Sequence, residues 1–153
     1  YPESLVATSP QRPSRVMWVD GLKDPEEVTI AESLQRIPSG DVLVTNNTQV
    51  LKRRVFTDDF EILFLNQVSP QQWDVLFPAR GLDVGAEISL PEGVKAKLIS
   101  KGLPQVIETT QILSEDYFAK QAELPLPPYI QKARGERRTK PEDEKWYQTA
   151  WAK

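Results

Sequence analysis

The sequence of 153 residues carries 19 basic and 22 acidic side chains, a net charge of -3, and neither cysteine nor histidine. Within these residues that excludes thiol nucleophiles, disulfides and thiolate or imidazole zinc sites, and leaves proton transfer near neutral pH to a carboxyl, lysine or tyrosine with a shifted pKa. A pI near 5.1 is unlike a chain that holds a large RNA mainly through phosphate contacts.

In chain order, Ser14 to Asp20 (SRVMWVD) has the β-branched and aromatic character of a strand, with Gly21 as its turn. The acids after Pro25, with Asp24 as N-cap and apolar Val28, Ile30, Ala31, Leu34 and Ile37, predict a helix ended by Pro38 and Gly40. Val42-Leu43-Val44 is a short continuous apolar run, the pattern of a strand covered on both faces. Strand, helix, strand is an α/β opening.

Past Asn46 the pattern changes to short runs at Gln49–Phe56, Phe60–Asn66, Gln72–Phe77, Glu87–Leu90, Val94–Ser100 and Gln105–Thr110, separated by turn residues. Strands at such spacing predict an antiparallel barrel or sandwich. The expected organisation is therefore an α/β domain interrupted by a small antiparallel β domain. Its parts are residues 1–48, the insert 49–112, and the return 113–153.

Ser114 caps a predicted helix with acids in its first turn. Pro125, Pro127 and Pro128 then forbid a helix interior and favour an extended backbone over PLPPYI. Residues 131–140 hold five basic side chains and one acid, and Pro141 opens a final helix. The first residues have no signal-peptide pattern, and no apolar run is long enough to span a membrane. A soluble, cytoplasmic protein is expected.

Asn46, Asn47 and Thr48 follow the predicted doubly covered strand, where ligands of open α/β sheets lie; side-chain bonding to their own backbone in a turn is the plainer reading. The basic run from Lys132 to Lys140 reads either as a contact for RNA phosphates or as a solvated loop. Asp58-Asp59 reads as a hairpin turn, and Phe64, Trp73 and Phe77 as core rather than a base-stacking platform. Neither GxGxxG nor a Walker phosphate loop occurs.

Several of these segments together resemble the S-adenosylmethionine:tRNA ribosyltransferase-isomerase family of queuosine biosynthesis. IPSGDVLVTNNTQVLKRRVF is similar to the family's PGDLLVFNNTRVIPARL block, and LPLPPYI and WYQTAWAK are similar to its MPLPPYI and YQTVYA segments. The likeness runs along nearly the whole chain, weakest from about Leu90 to Phe118.

What the resemblance implies is transfer of the ribosyl part of S-adenosylmethionine, as co-substrate, to the aminomethyl-deazaguanine at the anticodon wobble position of tRNA. The product is epoxyqueuosine; no metal is needed, and the fold is an α/β domain interrupted by a β-barrel. The substrate-contact residues expected on this basis are Asn46, Asn47, Thr48, Arg80, Pro127, Pro128, Tyr129, Tyr147, Gln148 and Thr149, with no catalytic base assigned.

Ala122, Glu123 and Leu124 stand where the family usually has Gly-His-Met, so a histidine role cannot be carried over. The family's later PTAGLHF segment is expected beyond Lys153, and the chain alone is expected to be inactive. A non-catalytic RNA-binding barrel module and a degenerate homologue that binds without chemistry are the alternatives.

Overall fold

The computed structural model describes residues 16–148. Strand β1 (Val16–Trp18) pairs antiparallel with β2 (Glu26–Val28) through a turn in which Gly21 has φ 59°. The helix expected from Asp24 therefore starts later. Helix α1 (Ile30–Gln35) is capped by Thr29, whose Oγ1 accepts from the Glu32 N–H at 3.1 Å, while Glu32 accepts from the Thr29 N–H at 2.7 Å. This reciprocal capping box satisfies otherwise orphaned donors and displaces the Asp24 start. Glu26, in the strand, instead pairs through both oxygens with Arg36, which lies over the Trp18 ring.

Val42, Leu43 and Val44 form no strand and are largely exposed, at 87%, 54% and 89%. Among the described residues no neighbouring strand runs beside them, and a strand without a partner leaves its ladder groups unpaired. Helix α1 likewise buries no side chain of its own.

The main body is an antiparallel sheet of seven strands: β3 (Arg54–Phe56), β4 (Glu61–Gln67), β5 (Gln72–Leu76), β6 (Glu87–Ser89), β7 (Lys95–Ser100), β8 (Gln105–Thr109) and β9 (Ala122–Glu123). Their spatial order is β6-β7-β8-β5-β4-β3-β9. The sheet curls into an open half-barrel rather than a closed barrel. Register shifts between Phe64 and Gln67 and between Leu98 and Ser100 mark bulges, which bend and twist a sheet. Across the remaining gap, the Thr57–Phe60 turn faces β6 over a cleft of about 190 Å³.

Alternation places Val55, Ile62, Phe64, Trp73, Val75, Leu98 and Ile107 on the concave side, where all are buried. The aromatic residues read as core are core. Helix α2 (Glu115–Gln121), capped by Ser114, lays Tyr117 and Phe118 over that side. The Phe118 ring meets Phe64 at 5.1 Å and Trp73 at 5.2 Å, both edge-on. Burial, with a smaller contribution from Glu92, pushes the Tyr117 phenol up to about 12.

The proline segment is extended only at its start. Pro127 is the N-cap and Pro128 the first residue of helix α3 (Pro128–Arg134), because proline lacks the N–H that a first-turn position leaves unbonded anyway. Gly135, at φ 66°, ends the helix in the left-handed conformation that glycine adopts without steric cost. Helix α4 (Pro141–Trp146) follows. No helix of the described residues is long and apolar enough to cross a membrane.

Candidate functional site

The last third of the chain folds back over the start of β3 and brings distant segments together. Leu124, Leu126 and Ile130 form a second buried cluster, with Val50 and Tyr147 packed against it. Residues before Arg54 would continue the strand, yet regular pairing starts only there. At Val50 a side chain takes the partner strand's place: the Gln148 amide accepts from the Val50 N–H at 2.9 Å and donates to the Val50 carbonyl at 3.1 Å. A primary amide matches both main-chain groups of one residue, as a neighbouring strand would. Gln148→Leu leaves both groups without that partner and is expected to cost about 1–3 kcal/mol. Urea unfolding measures it; an unchanged midpoint would mean that water replaces the amide without loss.

Beside this clamp lies a groove of about 250 Å³, bounded by residues 49–53, the face of α2 around Phe118 and Ala119, and Glu144 and Gln148. Its cations are paired: Arg53 with Glu115 at 2.6 Å, and Lys52 with Glu144 at 2.5 Å. Arg53 also sits over the Phe118 ring, 4.4 Å from its centroid.

A second network lies on the convex face of β3, where Arg54 is only 3% exposed. Its Nη2 donates to the Arg137 carbonyl at 2.6 Å, and its Nη1 makes a longer contact of 3.5 Å with the Leu126 carbonyl. Glu123, on β9, accepts from the Thr139 N–H at 2.7 Å and hydroxyl at 2.8 Å and pairs with Arg138 at 2.9 Å. The Phe56 ring has Arg54 at 5.0 Å and Arg138 at 4.2 Å from its centroid. Burial pulls the Arg54 guanidinium below its ordinary value, opposed mainly by Glu61 and Glu123. Farther along, Arg134 and Asp143 form a two-bond pair, each bond 2.7 Å.

The basic run is thus neither a free loop nor uniformly cationic. Arg134, Arg138 and Lys140 have carboxylate partners, while the Lys132 and Arg137 side chains are exposed.

Of the expected contact residues, Tyr147, Gln148 and the Pro127-Pro128-Tyr129 segment gather around the second cluster. Tyr129 is 55% exposed. The Tyr147 phenol is held above its ordinary value of 10.0 by burial first and Tyr129 second, so it stays protonated at neutral pH. Asn46 accepts from the Thr48 N–H at 2.9 Å and hydroxyl at 2.7 Å, closing a local turn, and Asn46, Asn47 and Thr48 are all exposed. That is the plainer of the two readings of this stretch, although the turn leads directly into Val50 and its clamp. Arg80 is exposed in the connection between β5 and β6, away from the cluster. Thr149 lies outside the described residues.

Arg54, Glu123 and Asp143 were not among the expected residues. A signal for Asp143 existed, since an acid two residues after Pro141 at a helix start is placed to bond the cap: it accepts from the Lys140 N–H at 2.8 Å. A signal for Arg54 also existed, since in the block similar to NNTRVIPARL it stands at the arginine of that pattern while Arg53 stands at its alanine; its burial under the return segment was not local. Among the described residues no group of three or more acidic side chains is placed to hold a metal.

Residues 1–153, the whole sequence, match the family model described as queuosine biosynthesis protein. The chain therefore belongs to the queuosine biosynthesis family, whose members are tRNA-modification enzymes, and has a role in queuosine tRNA modification.

Proposed function

We propose that the chain forms part of an S-adenosylmethionine:tRNA ribosyltransferase-isomerase acting in the cytoplasm. In this reading the ribosyl group of S-adenosylmethionine passes to the aminomethyl-deazaguanine of the tRNA wobble position, releasing adenine and methionine and giving epoxyqueuosine. The curled sheet, in the same reading, interrupts an α/β domain whose parts are residues 1–48 and 113–153.

The observation that carries the reading is the meeting of three stretches far apart in sequence. The segment after Asn46-Asn47-Thr48, Leu126 and Ile130 on either side of Pro127-Pro128-Tyr129, and Tyr147-Gln148 meet in one cluster around Val50. These are the stretches through which the sequence resembles that enzyme family. The convergence supports a binding surface, with Tyr129 as a stacking face and Lys132 and Arg137 as phosphate contacts. No catalytic base is assigned.

The position where the family pattern has histidine is held by Glu123, and here it serves the fold through Thr139 and Arg138. That favours a structural explanation of the departure over impaired chemistry.

The test is adenine release from S-adenosylmethionine in the presence of tRNA bearing the aminomethyl-deazaguanine base. It is run with this chain alone and with the chain joined to the later family segments that the resemblance expects. Release by either establishes the reaction. Release by neither, with tRNA still bound, would replace it with a non-catalytic RNA-binding module.

A further inference from the structure

The convex face of β3 presents an uncommon arrangement: a buried arginine whose strongest hydrogen bond goes to a main-chain carbonyl rather than to a carboxylate. Arg54 reaches Glu123 only at 3.7 Å, against 2.6 Å to the Arg137 carbonyl. Its Nε is buried with no hydrogen-bond partner. Desolvating a guanidinium is costly, so its placement needs a compensating task. The task visible here is holding chain: one fork of donors spans Leu126, just before α3, and Arg137, just after it.

The same short stretch is held from the other side by Glu123 at Thr139 and Arg138. Residues 137–139 are therefore fixed at successive positions, through one carbonyl, one ion pair, and one N–H with its hydroxyl. A solvated basic loop has no reason to be anchored in this way. The anchors leave the side chain of Arg137 exposed while immobilising its backbone.

We infer that Arg54 is a positioning residue, which locks residues 137–139 onto the sheet so that Arg137 is presented in a fixed place to an RNA phosphate. The RNA part rests on the proposed function; the lock does not. Fixing the backbone beforehand removes part of the ordering cost that a flexible basic loop incurs on binding. Lysine cannot substitute, because one ammonium does not reproduce a planar fork reaching two carbonyls.

The experiment compares the wild-type chain with Arg54→Lys, and with Glu123→Gln as a milder second variant. Two quantities are read: the rate of tryptic cleavage after Arg137 and Arg138 relative to cleavage after Lys101, an exposed reference site between β7 and β8, and affinity for an anticodon stem-loop RNA across a salt series. For Arg54→Lys, cleavage after 137 and 138 is expected to rise about tenfold relative to the reference, the equivalent of one lost charge-assisted hydrogen bond. RNA affinity is expected to fall several-fold with a shallower salt dependence, since a phosphate contact is lost. Glu123→Gln should shift both in the same direction by less.

Cleavage that is unchanged, or that rises equally at all sites, overturns the lock. Selective cleavage with unchanged RNA affinity overturns the presentation of Arg137 and leaves the lock. A wild-type chain that binds no RNA defeats the proposed binding surface, while the proteolysis still decides the lock.

Discussion

Replacing Phe118 with alanine is expected to lower the unfolding free energy by about 3–5 kcal/mol, the range for emptying a large aromatic from a packed core. Phe118 is 1% exposed, and its ring is where helix and sheet meet: Phe64 and Trp73 contact it from β4 and β5, and Tyr117 from its own helix. Edge-on aromatic pairs add to the area term, and the Arg53 guanidinium over the ring would lose its platform. Little can collapse into the void, because the concave wall consists of strands held in register on both sides. For a domain whose total stability is about 5–15 kcal/mol, that loss is a large fraction.

The measurement is urea unfolding of wild type, Phe118→Ala and Phe118→Leu, followed by far-UV circular dichroism. Leucine keeps much of the volume and should lose less than half as much. A loss below about 1 kcal/mol for alanine would mean that α2 does not belong to the cooperative unit of the sheet, since buried aromatic truncations otherwise cost several times that.

Acid is expected to release the α3–α4 pair before it unfolds the sheet. Asp143 is 1% exposed and accepts from both Nη atoms of Arg134 and from the Lys140 N–H. The hydrogen bonds from Arg134 are the main reason its carboxyl lies below the ordinary value of 3.8, with the Lys140 N–H contributing further and burial opposing. A carboxyl depressed by folding contributes stability that is fully present above its unfolded-state value. That contribution is lost as pH falls below 3.8 and through the lower folded-state value.

Removing the charge by Asp143→Asn should cost about 2–3 kcal/mol at neutral pH, less than a fully buried pair because Arg134 keeps 20% of its side chain exposed. Hydrogen exchange of the α3 and α4 amides between pH 3 and pH 6 separates the outcomes. Exchange corrected for intrinsic rate should accelerate in wild type at the acid end and be nearly flat with pH in the variant. Equal acid sensitivity in the two proteins would mean that Asp143 is not the group responsible.

Much of the half-barrel was legible in the residues. Its strands announce themselves by alternation and by turn chemistry at Asp58-Asp59, Ser69-Pro70 and Pro91-Glu92-Gly93, which are local properties of short segments. The same holds for the Ser114 cap and for Pro141 at the start of α4. The capping box of Thr29 and Glu32 was equally local, but it was masked by a stronger-looking start at Asp24 and Pro25.

The sequence by itself determined these hairpins, caps and core positions, together with the family to which the chain belongs, because each rests on residues that are neighbours in the chain. Tertiary structure alone decided the rest. Whether Val42–Val44 is a strand depends on a partner that local pattern cannot supply, and the burial of Arg54 comes from the distant segment that folds over it. Likewise, Gln148 becomes a substitute strand for Val50 only when 98 intervening residues bring them together. Hydrogen bonds and burial at long sequence separation leave little trace in a local pattern, and the candidate site is built almost wholly from them.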